Sequence, residues 1–288
     1  MTTVSVPAPT TRAALPKVRH RRRPGRFALA WIATLIFVGP ALWTVWISFH
    51  HEVDAISNPP DLLAGFTFEN YKAAFNGGEL TGPFLNSLIA AVASTVLVVV
   101  LAVPAAYALS LRKVPGWRDA MFFFLSTRMM PAVAGLLPIY LIVKWLGLLD
   151  NIWMIAILYL SANLPIGIWM LRSFFNDIPK ELIEAAELDG AGELTIMRRI
   201  VIPLTYPGIA SAALIAFIFA WNEFLFALNL TATNAYTSPV YLIGFLSGQR
   251  LFLAHLCAVS TILSLPVLIA GFAAQDRLVQ GLSLGAVK

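Results

Sequence analysis

Six runs of mostly apolar residues, at 27–49, 84–111, 120–143, 152–171, 208–230 and 256–274, alternate along the chain with polar stretches. Four of them hold no Asp, Glu, Lys or Arg; the third holds only Arg128 and the fifth only Glu223. About 20 apolar residues in a helix cross the roughly 30 Å hydrocarbon layer of a bilayer, so each run predicts one span. A spanning backbone must satisfy its own amides and carbonyls, as a helix or as a closed barrel. Barrel strands alternate apolar and polar positions in segments of about ten residues, and these runs do not alternate. The pattern predicts an all-α, polytopic membrane protein with six transmembrane helices over residues 27–275, kinked at Pro104, Pro131 and Pro138.

Composition sharpens this picture. Hydrophobic residues make up 59% of the 288 positions and charged ones 12%, against roughly 45–50% and 25% in soluble domains. Too few charges remain to coat a water-soluble globule, and the chain is too apolar for intrinsic disorder. The single cysteine, Cys257, excludes a disulfide framework and reads as a small apolar packing residue.

Charge then sets the orientation. Arg12, Lys17, Arg19, Arg21, Arg22, Arg23 and Arg26 precede the first span, and the loops after the second and fourth spans and the C-terminus bring the total to sixteen of twenty basic residues on one side. The positive-inside rule makes that side the cytoplasm, with both termini there. Residues 1–26 read as a basic, disordered tail, and 276–288 as a cytoplasmic C-terminal tail. The cluster at 19–26 abuts a span, so it is a topology signal that also meets anionic lipid heads, and not a nucleic-acid arm. The polar lead is too long for a cleavable signal peptide. Segment 50–83 carries Glu52, Asp54, Asp61, Glu69 and Glu79 against Lys72, consistent with an outer face and long enough to fold over an external mouth. His50 and His51, at a span's end, read as interfacial.

The loop at 172–206 is the only sizeable polar one on the cytoplasmic side. Asn176, Asp177 and Pro179 form a helix-start signal, Lys180–Leu188 continues as a helix, and Asp189-Gly190 stops it. A second short helix is expected over 193–201, with Arg198 and Arg199 near its negative end and Pro203 closing it. Helical spacing puts Leu182, Ala185, Ala186 and Asp189 on one face and crowds Glu181, Glu184 and Glu187 on another. Small alanines would admit a partner surface, with the carboxylates setting register; the alternative is a solvated connector helix.

Glu184-Ala185-Ala186, three residues, Gly190, nine residues and then Ile200-Val201-Ile202-Pro203 resembles the EAA loop of ATP-binding-cassette importer permeases. Ile202 departs from the family's usual leucine at conserved volume. Six spans, a cytoplasmic N-terminus and the loop's place before the fifth span agree. The ending from Gln280 to Lys288 resembles the MalG-like, carbohydrate-serving branch, and residues 126–140 resemble permeases of polyol and sugar-alcohol importers. The resemblance covers roughly 27–288. It implies a MalG/MetI-like fold in a bacterial inner (plasma) membrane, with an EAA helix that docks in a separate cytoplasmic ATPase through Glu184, Ala185, Ala186, Asp189 and Gly190. It further implies a sister permease subunit, two ATPase subunits and an extracytoplasmic solute-binding protein as partners. ATP binding would turn the pathway outward and hydrolysis would reset it.

No G-x-x-x-x-G-K-[ST] phosphate loop, H-E-x-x-H pair or G-x-S-x-G elbow occurs, so no nucleotide, metal or other cofactor and no catalysis are expected of this subunit. Arg128 and Glu223 remain, because ionisable groups inside a bilayer are costly and face protein or water. Arg128 lies about 12 Å into its span at 1.5 Å per residue, where it either snorkels to the lipid heads or lines a pathway. Glu223 lies about 22 Å deep by the same rise. With Trp221, Asn222 and Asn229 it forms a polar-aromatic group suited to sugar hydroxyls; the alternative is a helix–helix hydrogen bond. The run 221–224 also resembles the fifth span of the MalG-like branch. The alternatives are an ion-coupled secondary transporter, which would show inverted repeats, and a permease for a non-carbohydrate solute.

Overall fold

A helix set in lipid needs apolar side chains along its length, and α1 (Pro24–Ile47) has them, with Leu29, Ile36 and Phe37 exposed. The computed structural model describes residues 24–57, 59, 61, 64–76, 78–112, 114–245 and 252–286, with only the backbone course at 24, 26, 27 and 276–286. The expectation of a disordered tail falls almost wholly on 1–23, outside these residues. Among the described residues no strand occurs.

After α1 come two short helices, α2 (Glu52–Ala55) and α3 (Glu69–Asn76), in the acidic segment. His50 is fully buried there, packed by Trp46 and Phe66, so the interfacial reading of that residue is corrected. His51 is the exposed member, 3.4 Å from Glu69. The second span is α4 (Thr81–Tyr107), whose last turn widens into a π turn at Ala108–Arg112. The fourth is α7 (Ile152–Asn176), capped by Asn151, whose side chain accepts the amides of Trp153 and Met154. The last is α14 (Leu253–Ala286). Its first turn is capped from a distance by the Glu52 carboxylate, which accepts the Ala254 and His255 amides at 3.0 and 3.3 Å.

Two expected spans are broken. The third is α5 (Trp117–Met129) and α6 (Ala132–Trp145), meeting at 92°. Pro131 sits at that break, where it cannot donate an amide and biases Met130 to an extended conformation. The segment crosses rather than returning to its starting side. Trp117 lies under the Arg172 guanidinium near one end of α7, at 4.6 Å. Asp150 and Asn151 sit at the other end. The fifth span is α11 (Tyr206–Trp221), interrupted at Asn222–Phe224 and resumed as α12 (Leu225–Leu230). A short helix, α13 (Ser238–Ile243), follows.

The loop before α11 forms α8 (Lys180–Leu188), α9 (Glu193–Ile196), a π turn at Met197–Val201 and α10 (Ile202–Leu204). The first helix keeps its expected bounds, but its start differs. α7 runs to Asn176, so neither Asn176 nor Asp177 caps α8, and Pro179 holds the N-cap position without a side-chain bond. The second helix starts at Glu193 as expected and runs on without a break through the π turn to Leu204. Pro203 does not close it but lies in its last turn, just beyond the widened π turn. The 79° bend comes after it, between Leu204 and Tyr206.

Two buried clusters hold the bundle. Toward the Arg172 end, Val98, Ala102 and Ala106 of α4 pack with Leu171 and Phe175 of α7 and Ala212 and Ala216 of α11. Toward the Asp150 end, Ala90 and Ala91 of α4 pack with Ile155 and Tyr159 of α7 and with Trp221. Gly208 of α11 lies directly against the Phe174 ring of α7, where an added Cβ would overlap the ring. Gly208→Ala is therefore expected to cost about 1–3 kcal/mol and Gly208→Leu more, read as a lowered Tm of the detergent-solubilised protein.

Asp150 closes the opposite end. In left-handed backbone at φ 54, its carboxylate accepts the amides of Ala232, Thr233, Asn234 and Ala235 at 2.9–3.2 Å. Burial alone would raise this carboxyl, but the four amides outweigh it and hold it far below the ordinary carboxylate range. A depressed folded pKa means the clamp is at full strength above about pH 4, the unfolded value, and weakens as pH falls through the folded one. Asparagine tolerates the same backbone, so Asp150→Asn isolates the charge. Hydrogen exchange at 232–235 should quicken about tenfold in that variant, and wild-type protection should be flat from pH 5 to 8 and lost in acid.

Candidate functional site

The segment that follows α7 is built into the core by one face only. Ile183 and Ala186 are 6% and 9% exposed and join the cluster of Leu171, Phe175, Ile196 and Val201. Ala186 is thus turned inward, correcting its expected place on a partner-facing surface. Leu182, Glu184, Ala185 and Asp189 are exposed, and Leu188, which the sequence reading passed over, projects furthest at 89% exposure. The cause is the apolar stripe itself: Ile183 and Ala186, three residues apart, are the positions that meet the bundle. The helix ends in a left-handed turn at Gly190 (φ 78), whose amide reaches the Glu187 carbonyl, while the Ala191 amide reaches that of Ala186.

Glu187 does not flank a partner surface as expected, because it pairs within the chain with Arg112. Arg112 also donates from Nε to Glu193 Oε2 at 2.7 Å and to the Tyr107 hydroxyl at 3.0 Å. Tyr107 donates in turn to Glu193 at 2.6 Å. Sequence reasoning counted Arg112 only as a topology charge; nothing in a linear pattern ties position 112 to 187 and 193.

Within the membrane, the structure gathers the intramembrane candidates around the fifth span and gives them different environments. Trp221 is 4% exposed, donates its indole N–H to the Leu263 carbonyl of α14 at 3.1 Å, and packs against Phe84 and Phe217. It is a packing anchor more than an open sugar platform. Beside it lies a cavity of about 230 Å³ lined by Asn222, Ser238, Ser260 and Ser264 as well as Trp221. Asn222 is exposed and donates to the Ile218 carbonyl; Asn229 is exposed and donates to that of Leu225.

Glu223 serves the break in this span. Its carboxylate accepts the Phe226 amide at 3.0 Å and the Ala227 amide at 3.5 Å, capping α12, and its backbone carbonyl accepts the Tyr159 hydroxyl of α7. The expected helix–helix hydrogen bond is present, from Tyr159 of α7 to Glu223, and the capping of its own broken helix is a further role that the sequence pattern did not reveal. Arg128 lies in the last turn of α5, just before the other break. It is exposed, 5.3 Å over the Phe219 ring, with one hydrogen bond to the Ala162 carbonyl at 3.3 Å. With Trp169 and Pro165 it lines a largely apolar cavity of about 240 Å³.

Residues 98–283 match the family described as "Binding-protein-dependent transport system inner membrane component". The chain is 34% identical to the "Probable ABC transporter permease protein y4oR" of Sinorhizobium fredii, over 91% of this chain and 95% of that one. It is also 34% identical to the "Trehalose transport system permease protein SugB" of Mycobacterium tuberculosis, over 86% and 92%. Among solved structures it resembles a bacterial ABC transporter "involved in the import of the acidic polysaccharide alginate", with a TM-score of 0.73 and 25% identity over 88% of this chain and 95% of that one. The long apolar helices, the broken third and fifth spans and the helix–glycine–helix corner between spans four and five are thus features of a multi-pass permease, and this chain belongs to the family of binding-protein-dependent transport system inner membrane components.

Proposed function

We propose that this chain is one of two permease subunits of an ABC importer for a sugar, oligosaccharide or polyol, energised by two separate ATPase subunits and fed by an extracytoplasmic binding protein. The observation that carries the coupling role is the divided character of α8: Ile183 and Ala186 are locked into the bundle while Leu182, Ala185, Leu188 and Asp189 stand free on the outer side. Leu182, Ala185 and Leu188, three residues apart in turn and all exposed, make an apolar strip on a helix otherwise tied to the core. Such a strip supports docking into a cleft of another protein. Both termini and this corner lie in the cytoplasm, on the strength of the basic residues at that end. The carbohydrate assignment draws on the trehalose and alginate importers that the chain resembles.

The solute pathway passes the interruptions of the third and fifth spans. Irregular backbone at membrane depth is tolerated where it is buried in protein or lines water, and Met130, Pro131 and Asn222 are all exposed. Asn222 and Asn229 offer amides to hydroxyls, Arg128 offers a guanidinium, and Glu223 holds the shape of the break that presents them.

The direct test purifies the intact membrane complex and measures ATPase stimulation by trehalose, maltose, mannitol and galacturonate with the binding protein present. Stimulation several-fold above basal by at least one supports the carbohydrate reading; a flat response to all four, with an amino acid or peptide active instead, overturns it. Leu188→Asp should reduce ATPase co-purification at least tenfold while the chain still inserts. Asn222→Ala should lower uptake several-fold with the ATPase retained, whereas Glu223→Ala should chiefly lower stability, by about 1 kcal/mol for a lost cap.

A further inference from the structure

The coupling helix is joined by the chain itself to two spans: α7 leads into it, and 193–204 lead from it to α11. Arg112 belongs to neither. It ends the π turn that follows α4, a span distant in sequence. Its guanidinium pairs with Glu187 in the last turn of α8 and with Glu193, the first residue of α9. Those two carboxylates stand on opposite sides of the Gly190 turn, so one arginine grips both limbs of the bend. Tyr107 reinforces the grip, its ring 5.5 Å beneath the guanidinium and its hydroxyl on Glu193.

The π turn is what makes this possible. An α-helix advances about 100° per residue, which sets positions five apart on different faces. The wider π turn swings Arg112 round to Tyr107, and the two side chains meet at 3.0 Å. An isolated exposed ion pair contributes little. Here one planar guanidinium serves two carboxylates and a phenol, and each charge-assisted bond helps order the others. The Arg112 side chain is only 24% exposed, so it is less screened than the glutamates at 45% and 65%.

We propose that Arg112 is a positioning residue that fastens the α8–α9 corner to α4, so that motion imposed on the coupling helix reaches the second span as well as the fourth and fifth. The proposal rests on the reading of α8 as the ATPase-docking surface. α4 is the span through which such motion spreads, because Val98, Ala102 and Ala106 lie in one buried cluster with residues of both α7 and α11. Tyr107 and Leu109, where α4 ends, share that buried cluster with Ile183 and Ala186. Without the brace α8 therefore stays anchored and can bind its motor, but the two limbs of the corner lose the polar tie that makes the end of α4 follow them closely.

The experiment uses the complete complex with its binding protein in proteoliposomes. Cys257→Ser removes the only cysteine, and Ser264→Cys places a reporter in the cavity beside Trp221. A membrane-impermeant maleimide then reads accessibility without nucleotide and with ATP plus vanadate. In the otherwise native protein, ATP–vanadate should change the labelling rate several-fold. Arg112→Gln, and separately Glu187→Gln with Glu193→Gln, should retain the ATPase at native levels and shrink that change at least threefold. The three substitutions together should do no further harm, and Arg112→Lys, which holds one carboxylate at a time, should fall between. A native response in Arg112→Gln overturns the proposal. So does loss of the ATPase in both the arginine and the glutamate variants, which would assign the cluster to docking or folding. Failure of the docking reading shows separately, as Leu188→Asp keeping its ATPase.

Discussion

An amide in hydrocarbon has no water to turn to, and the architecture follows from that constraint. Where the chain runs straight, as in α4, α7 and α14, the helix satisfies itself. Where it breaks, side chains are recruited to finish the accounting. Glu223 caps the resumed fifth span, Tyr159 serves the carbonyl beside it, and Asp150 gathers the amides that follow the span. These polar residues are placed by unfinished backbone. Arg128, at the other break, has only the Ala162 carbonyl and the face of Phe219, which leaves a guanidinium available at the point where the third span turns.

The same constraint separates two kinds of polar residue that look alike in a sequence. Glu223 and Asn222 are neighbours, yet one carboxylate is consumed in capping while the amide next to it borders a cavity. Trp221 is drawn into the core by its bond to Leu263 and by two aromatic rings. A cluster of sugar-compatible side chains in the linear chain therefore resolves into an anchor, a liner and a cap.

Hydropathy made the six runs legible because burial in lipid leaves a long, uninterrupted signal. It did not register the 92° break at Met130–Pro131, beyond a kink at Pro131, because both halves are equally apolar. The α8 boundaries could be read from Pro179 and Gly190, whose backbone demands are local. Which face of α8 points inward could not, since Ala185 and Ala186 are the same residue and only the bundle chooses between them. The Asx cap failed for a related reason: α7 continued five residues beyond its apolar run and absorbed Asn176. The Arg112 cluster depends on contacts some eighty positions apart and on a π turn with no composition of its own.

A nine-residue rod with two masters is a natural seam for exchange. The inward pair, Ile183 and Ala186, must fit this protein's own interior. The outward set, Leu182, Ala185, Leu188 and Asp189, is free of that demand. Substitution on that side can reshape the surface a neighbour would meet while the interior packing stays as it is, so the rod's outer face can change at a handful of positions without disturbing the bundle.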